Sequence, residues 1–134
     1  MLSRIRQLKP RPCWFIIAPV GAFLLAELPI VFRLLPNMER FAVAIFVLVN
    51  VLAHGLLWFP LGIFGIFVWD LQLMIDYGGI FCYVGWSVYL VLIAAGLQYP
   101  RRAIFFVLVL LLVMNIVGFQ AGHVRHVVWA NLMW

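Results

Sequence analysis

The sequence predicts an all-α integral membrane protein, a four-helix transmembrane bundle with short loops. Three observations lead there. Of the 134 residues, 68% are apolar and 10% are charged, whereas a soluble domain averages about 45–50% and about 25%. The apolar residues gather into runs long enough to span a hydrocarbon core about 30 Å thick. The charged residues other than Glu27 fall at the ends of those runs or between them. A chain with so little polar surface has no means of covering itself against water, and its apolar excess excludes disorder.

The first run extends over 14–35, after a basic tail carrying Arg4, Arg6, Lys9 and Arg11. Such a cluster just before an apolar segment attracts anionic lipid headgroups. With no basic face on a soluble domain, the net charge of +5 does not point to nucleic acid. No small-residue cleavage site closes the run, so it is expected to remain as a membrane segment rather than a secretory signal. It contains Glu27, Pro19 and Pro29, and Arg33 near its end can snorkel to the interface.

The polar break at 36–40 separates it from a second run over 41–69. A helix of that length would measure about 44 Å, more than a bilayer core needs. Trp58-Phe59-Pro60-Leu61-Gly62 supplies a breaker. The expectation is a crossing over 41–59 with a kinked extension to 69. Residues 70–77 hold Asp70 and Asp76 and read as a loop, with the two acids capping helix ends or solubilising it. The third helix is expected over 79–97, and Gln98 to Arg102 form a tight turn. The fourth is expected over 103–128. Trp14, Trp58, Trp69, Trp129 and Trp134 fall near run ends, as interfacial belts require, while Trp86 sits inside the third run. With no repeat and no low-complexity linker, residues 1–134 form a single transmembrane domain.

Charge does not orient this arrangement. With an inside N-terminus, Arg4, Arg6, Lys9, Arg11 and Arg125 face Arg33, Arg40, Arg101 and Arg102 across the membrane, five against four. If the first run were re-entrant instead, which Pro19 and Pro29 would permit, the balance becomes eight against one. Dual insertion is a third possibility. The expected placement of the N-terminus is cytoplasmic.

Depth singles out one group of residues. Measured from the side assigned to the 36–40 and 98–102 connections, Glu27 lies about 12 Å deep, Asn50 about 14 Å, Ser87 about 15 Å, Asn115 about 18 Å and His54 about 20 Å. Four helices thus each carry a polar residue near mid-membrane, where such groups face a bundle interior. Asn50 and His54, four apart, share a face. One reading is a proton or cation site centred on Glu27, with His54 as relay or partner. The other is hydrogen-bond glue between helices. Ala26-Glu27 and Pro60-x-Gly62 resemble pieces of the pattern of small multidrug resistance transporters, short four-helix proteins with a glutamate in the first helix. The interval from Glu27 to Pro60 is shorter than in that family, and its other motifs are absent.

His54, His123 and His126 suggest axial ligation of a b-type haem, but His54 and His123 differ in height by about 10 Å. No cofactor or metal is therefore expected. Cys13 and Cys82 form no metal or redox pattern and read as small apolar fillers. Ala22 with Ala26, and Gly118 with Gly122, are small-xxx-small pairs that let helices approach closely. The sequence offers no acyl-transfer triad, phosphate-binding loop or paired catalytic carboxylates, so no enzyme activity is expected. The leading functional reading is a non-catalytic accessory or structural subunit of a larger membrane complex, partnered by other membrane subunits or by a second copy. Aromatic residues make up 16% of the chain, more than interfacial belts need. The alternatives are a small proton-coupled transporter using Glu27, working as a homodimer, and a haem-binding membrane anchor.

Overall fold

The computed structural model of the chain describes residues 9–34 and 40–132. Arg4, Arg6 and Trp134 lie outside the described residues, as do the side chains of Ile30, Leu34, Val51 and Trp129. The described residues are all helical apart from short connections. The helices are α1 (Trp14–Leu34), α2 (Phe41–Trp58), α3 (Leu61–Phe67), α4 (Leu71–Gln98), α5 (Arg102–Gln120) and α6 (Gly122–Leu132). Four of them, α1, α2, α4 and α5, are long and apolar enough to cross a membrane.

The first helix runs unbroken through Pro19 and Pro29. Its Phe15 ring fills the notch left by Gly96 near the end of α4 and meets Phe105 of α5 edge-on at 5.7 Å. Towards its other end, Gln120 Nε2 of α5 donates to Ala26 O at 2.8 Å. These contacts set α1 beside α5 with both running in the same sense. The N-terminal end of α1 therefore lies with the 99–101 turn, and the connection after α1 leaves from the opposite end. This corrects the sequence-based assignment of the 36–40 and 98–102 connections to one side. Simple alternation of neighbours fails because the Phe15–Gly96 fit and the Gln120 tether join helices distant in sequence.

The second run breaks where Pro60 lacks the N–H that would bond to Leu56 O. Phe59 and Pro60 keep helical dihedrals (φ −51°, ψ −45° and φ −64°, ψ −15°), so the chain kinks and resumes within two residues. The resumed helix, α3, ends at Phe67 rather than 69. It makes the closest packing in the fold, against α5. A Cβ on Gly118 would overlap the Gly62 carbonyl, and one on Gly62 would overlap the Asn115 carbonyl. Both glycines are needed for that approach.

Residues 70–77 are not a loop. Asp70 is the N-cap of α4, accepting from Gln72 N at 2.9 Å and Leu73 N at 3.4 Å. Asp76 lies one turn further on and accepts from Gln72 Nε2 at 3.0 Å. The third helix is therefore 28 residues long, against the expected 79–97. One face of it, carrying Gly78, Gly85 and Gly96, receives Trp58, Pro60 and Phe15 respectively. The fourth run divides at Ala121, whose extended backbone (ψ 136°) separates α5 from α6, where one helix over 103–128 was expected.

The core is aromatic. Phe59 sits at its centre, 5.8 Å from Phe23, 6.4 Å from Tyr89 and 6.2 Å from Phe119. Leu61, Met74, Leu108, Leu112, Val124 and Val127 close around these rings.

Candidate functional site

The interior polar residues fall into two places. The first is the helix break. Breaking a helix orphans N–H groups at one cut end and carbonyls at the other, and in an apolar interior each needs a partner. Asn115 of α5 supplies one, its Oδ1 accepting from Ile63 N in the first turn of α3 at 2.8 Å. Trp86 of α4 supplies the other, its Nε1 donating to Leu57 O at the end of α2 at 3.0 Å. The interior tryptophan that fitted no belt is thus a donor for a freed carbonyl. Tyr89 Oη similarly donates to Leu111 O at 3.3 Å.

The second place surrounds Glu27. The residue is buried on α1, and its carboxyl lies flat against Gly55 of α2. A Cβ on Gly55 would stand 2.7 Å from Glu27 Cδ, so the missing side chain is what makes room for the carboxyl. Arg125 of α6 acts on Glu27 electrostatically. Glu27 Oε1 and Arg125 Nε are nonetheless buried without a hydrogen-bond partner among the described residues, as is Asn115 Nδ2. Most buried polar atoms in proteins have partners, so an acid and a base left open in one interior stand out. The arrangement can hold and release a proton at the carboxyl, or close into an ion pair.

The remaining polar residues singled out by depth bond to their own helices. Asn50 Nδ2 donates to Phe46 O at 2.8 Å, His54 Nδ1 donates to Asn50 O at 3.0 Å, and Ser87 Oγ donates to Tyr83 O at 2.8 Å. Ser87 is exposed, and Asn50 and His54 are half-buried. Glu27 and Asn115 are the two of the five that the fold buries fully. Equal depth from one side does not bring these residues together, because α1 and α5 run in the same sense.

Of the small-residue pairs, Ala22 and Ala26 are buried and Gly118 meets Gly62, but Gly122 is exposed with open space around it. Lys9 and Arg11 are exposed beside the start of α1. His123 and His126 are exposed on α6. No group of three or more His, Cys, Asp or Glu that could hold a metal ion occurs among the described residues. Cys13 is exposed, Cys82 is buried, and neither is in a disulfide.

Sequence reasoning missed Arg125, Gly55 and Gln120 at the Glu27 site. Each lies far along the chain from Glu27, and none belongs to a local motif. The Gly78–Gly85–Gly96 face did carry a signal, since intervals of seven and eleven return to one side of a helix. No protein-family model, curated protein or solved structure matches the chain.

Proposed function

We propose that the protein is an integral membrane subunit that packs, without catalysing a reaction, against another chain in a larger membrane complex. The contact we assign is the Asn50–His54 face of α2. The observation that supports it is a mismatch between cover and polarity. Helix α2 is the least covered of the four long helices, and Phe41 and Phe46 are 82% and 70% exposed. Yet it carries two polar side chains on one face, only half-buried. In lipid such groups are costly unless they face protein. Their bonds to the helix backbone use Asn50 Nδ2 and the His54 Nδ1 proton. Asn50 Oδ1, the second Asn50 Nδ2 proton and the His54 Nε2 atom are left over, so the fitting partner is a membrane helix that carries polar side chains at this depth. The bonds of Asn115, Trp86, Tyr89 and Gln120 instead join this chain's own helices.

A photo-crosslinking side chain at Phe46, one turn before Asn50, tests this in native membranes. The expected product is an adduct with a different membrane protein, absent when the group is placed at exposed Val91 of α4. Lipid adducts alone from both positions would overturn it, and an adduct with a second copy would replace the partner.

Glu27 Oε1 and Arg125 Nε, both buried without a hydrogen-bond partner among the described residues, favour a second reading, a small proton-coupled carrier. Its test is Glu27→Gln, which keeps shape and removes the exchangeable charge. Proton-driven uptake should disappear in vesicles, and uptake equal to the parent would end this reading.

A further inference from the structure

The same-sense packing of α1 and α5 brings together two basic segments that are about ninety residues apart in sequence. Phe15, at the start of α1, touches both Gly96 and Phe105, which flank the 99–101 turn. Lys9 and Arg11, just before Phe15, therefore lie at the same end of the fold as Arg101 and Arg102. Lys9, Arg11 and Arg101 are exposed and Arg102 is half-buried. Trp14 and Tyr99 are at this end too, 48% and 61% exposed. Among the described residues no carboxylate shares it. Asp70 and Asp76 are towards the other end of α4, about 42 Å and about 33 Å from Gln98 by helical rise, and Arg33 is at the other end of α1.

We infer that this end is a single binding face for anionic lipid headgroups and that it is the cytoplasmic end of the protein. Cationic side chains seat on acidic headgroups, and the exposed tryptophan and tyrosine sit at the apolar boundary beneath them. Lys9, Arg11, Arg101 and Arg102 at this end outnumber Arg33, Arg40 and Arg125, which lie away from it, so the fold tips the orientation that sequence order left balanced. Lysine and arginine near span ends are retained on the cytoplasmic side, and here both basic segments ask for the same side. Strict alternation of the spans would set them against each other. The inference rests on the membrane-embedded reading of the chain.

Native Cys13 serves as one probe, because it is exposed at this end, while buried Cys82 is replaced by alanine. Two further proteins carry Cys13→Ser with a new cysteine at Tyr99 or at Gln72. A membrane-impermeant maleimide is applied to intact cells and to inverted vesicles. Cys13 and position 99 should label only in inverted vesicles, and position 72 only in intact cells. Labelling of Cys13 and position 99 from opposite sides would overturn the shared end. Labelling of both from outside would overturn its cytoplasmic placement. Alkaline washing of the same vesicles separates these outcomes from a failure of membrane embedding, which would release the chain. For the headgroups, the purified protein is weighed intact with phosphatidylglycerol or phosphatidylcholine. Adducts should favour phosphatidylglycerol. Each of Lys9→Gln, Arg11→Gln, Arg101→Gln and Arg102→Gln should weaken that preference about five-fold, whereas Arg33→Gln should leave it intact. Equal adducts with both lipids would overturn the headgroup assignment.

Discussion

Asn115 of α5 caps α3 from outside, its Oδ1 2.8 Å from Ile63 N across an interval of 52 residues. N-caps are normally local, and here the helix begins at Pro60, with no capping bond from its own N-cap side chain. Replacing Asn115 by Leu keeps the volume and orphans the Ile63 N–H. The expected cost is about 1–2 kcal/mol, combining a lost cap with an unpaired buried donor. Unfolding in mixed micelles measures it. Trp86→Phe, which frees Leu57 O at the facing cut end, should cost about 1 kcal/mol in the same assay.

Gly118 and Gly122 have the spacing of a packing pair, but their surroundings differ. A methyl group on Gly118 meets the Gly62 carbonyl, whereas one on Gly122 meets nothing within 4 Å. Gly118→Ala should force α3 off α5 and cost about 2 kcal/mol or more, as overpacking does. Gly122→Ala should be neutral or stabilising by up to about 1 kcal/mol, the helix-propensity difference. Thermal unfolding of the two variants side by side checks the contrast.

The Glu27–Gly55 contact can be read by a double-mutant cycle. Gly55→Ala places its methyl group against the Glu27 carboxyl, so it should destabilise the parent protein. In a Glu27→Ala background that obstruction is gone, and the same change should cost little. A coupling of about 1 kcal/mol or more is expected for groups in direct contact. Additive effects would show that the two residues do not touch.

Asp70→Ala removes both backbone hydrogen bonds from the first turn of α4. The expected loss is about 1 kcal/mol, the usual worth of such a cap. Hydrogen exchange should quicken at Gln72 and Leu73 and stay slow near Tyr89.

The extent of the apolar runs and the break after Trp58 were legible because both are local. Lipid-length stretches and a proline need no knowledge of neighbours. The start of α4 was not legible, because polarity and helix end do not coincide there. Asp70, Gln72 and Asp76 mark where apolar sequence ends, but a helix satisfies its own backbone and continues into a polar region. Charge therefore located the edge of the apolar slab rather than the edge of the helix. The importance of Glu27 and Asn115 followed from placing polar groups in an apolar medium, and both are buried in the fold. Their surroundings were not legible. That Glu27 lies on Gly55 near Arg125, and that Asn115 meets Ile63, depends on which helices pack together and in which sense. Those choices are made by contacts such as Phe15 on Gly96, which no periodicity announces.

Asn50 and His54 separate folding from assembly. Each is bonded within α2, so Asn50→Leu and His54→Phe should change the stability of the isolated protomer by no more than about 0.5 kcal/mol. They should weaken association, because they remove the polar groups that the helix's own bonds leave over. A variant that unfolds readily would instead place these side chains in the protomer's own core.

The most direct test is the intact mass of the wild-type protein released from its native membrane in gentle detergent. A protomer alone weighs 15.4 kDa. The expected result is a larger particle containing a second, different membrane chain, which is lost from the Asn50→Leu, His54→Phe double variant. A monodisperse particle with the mass of one protomer would contradict the subunit assignment.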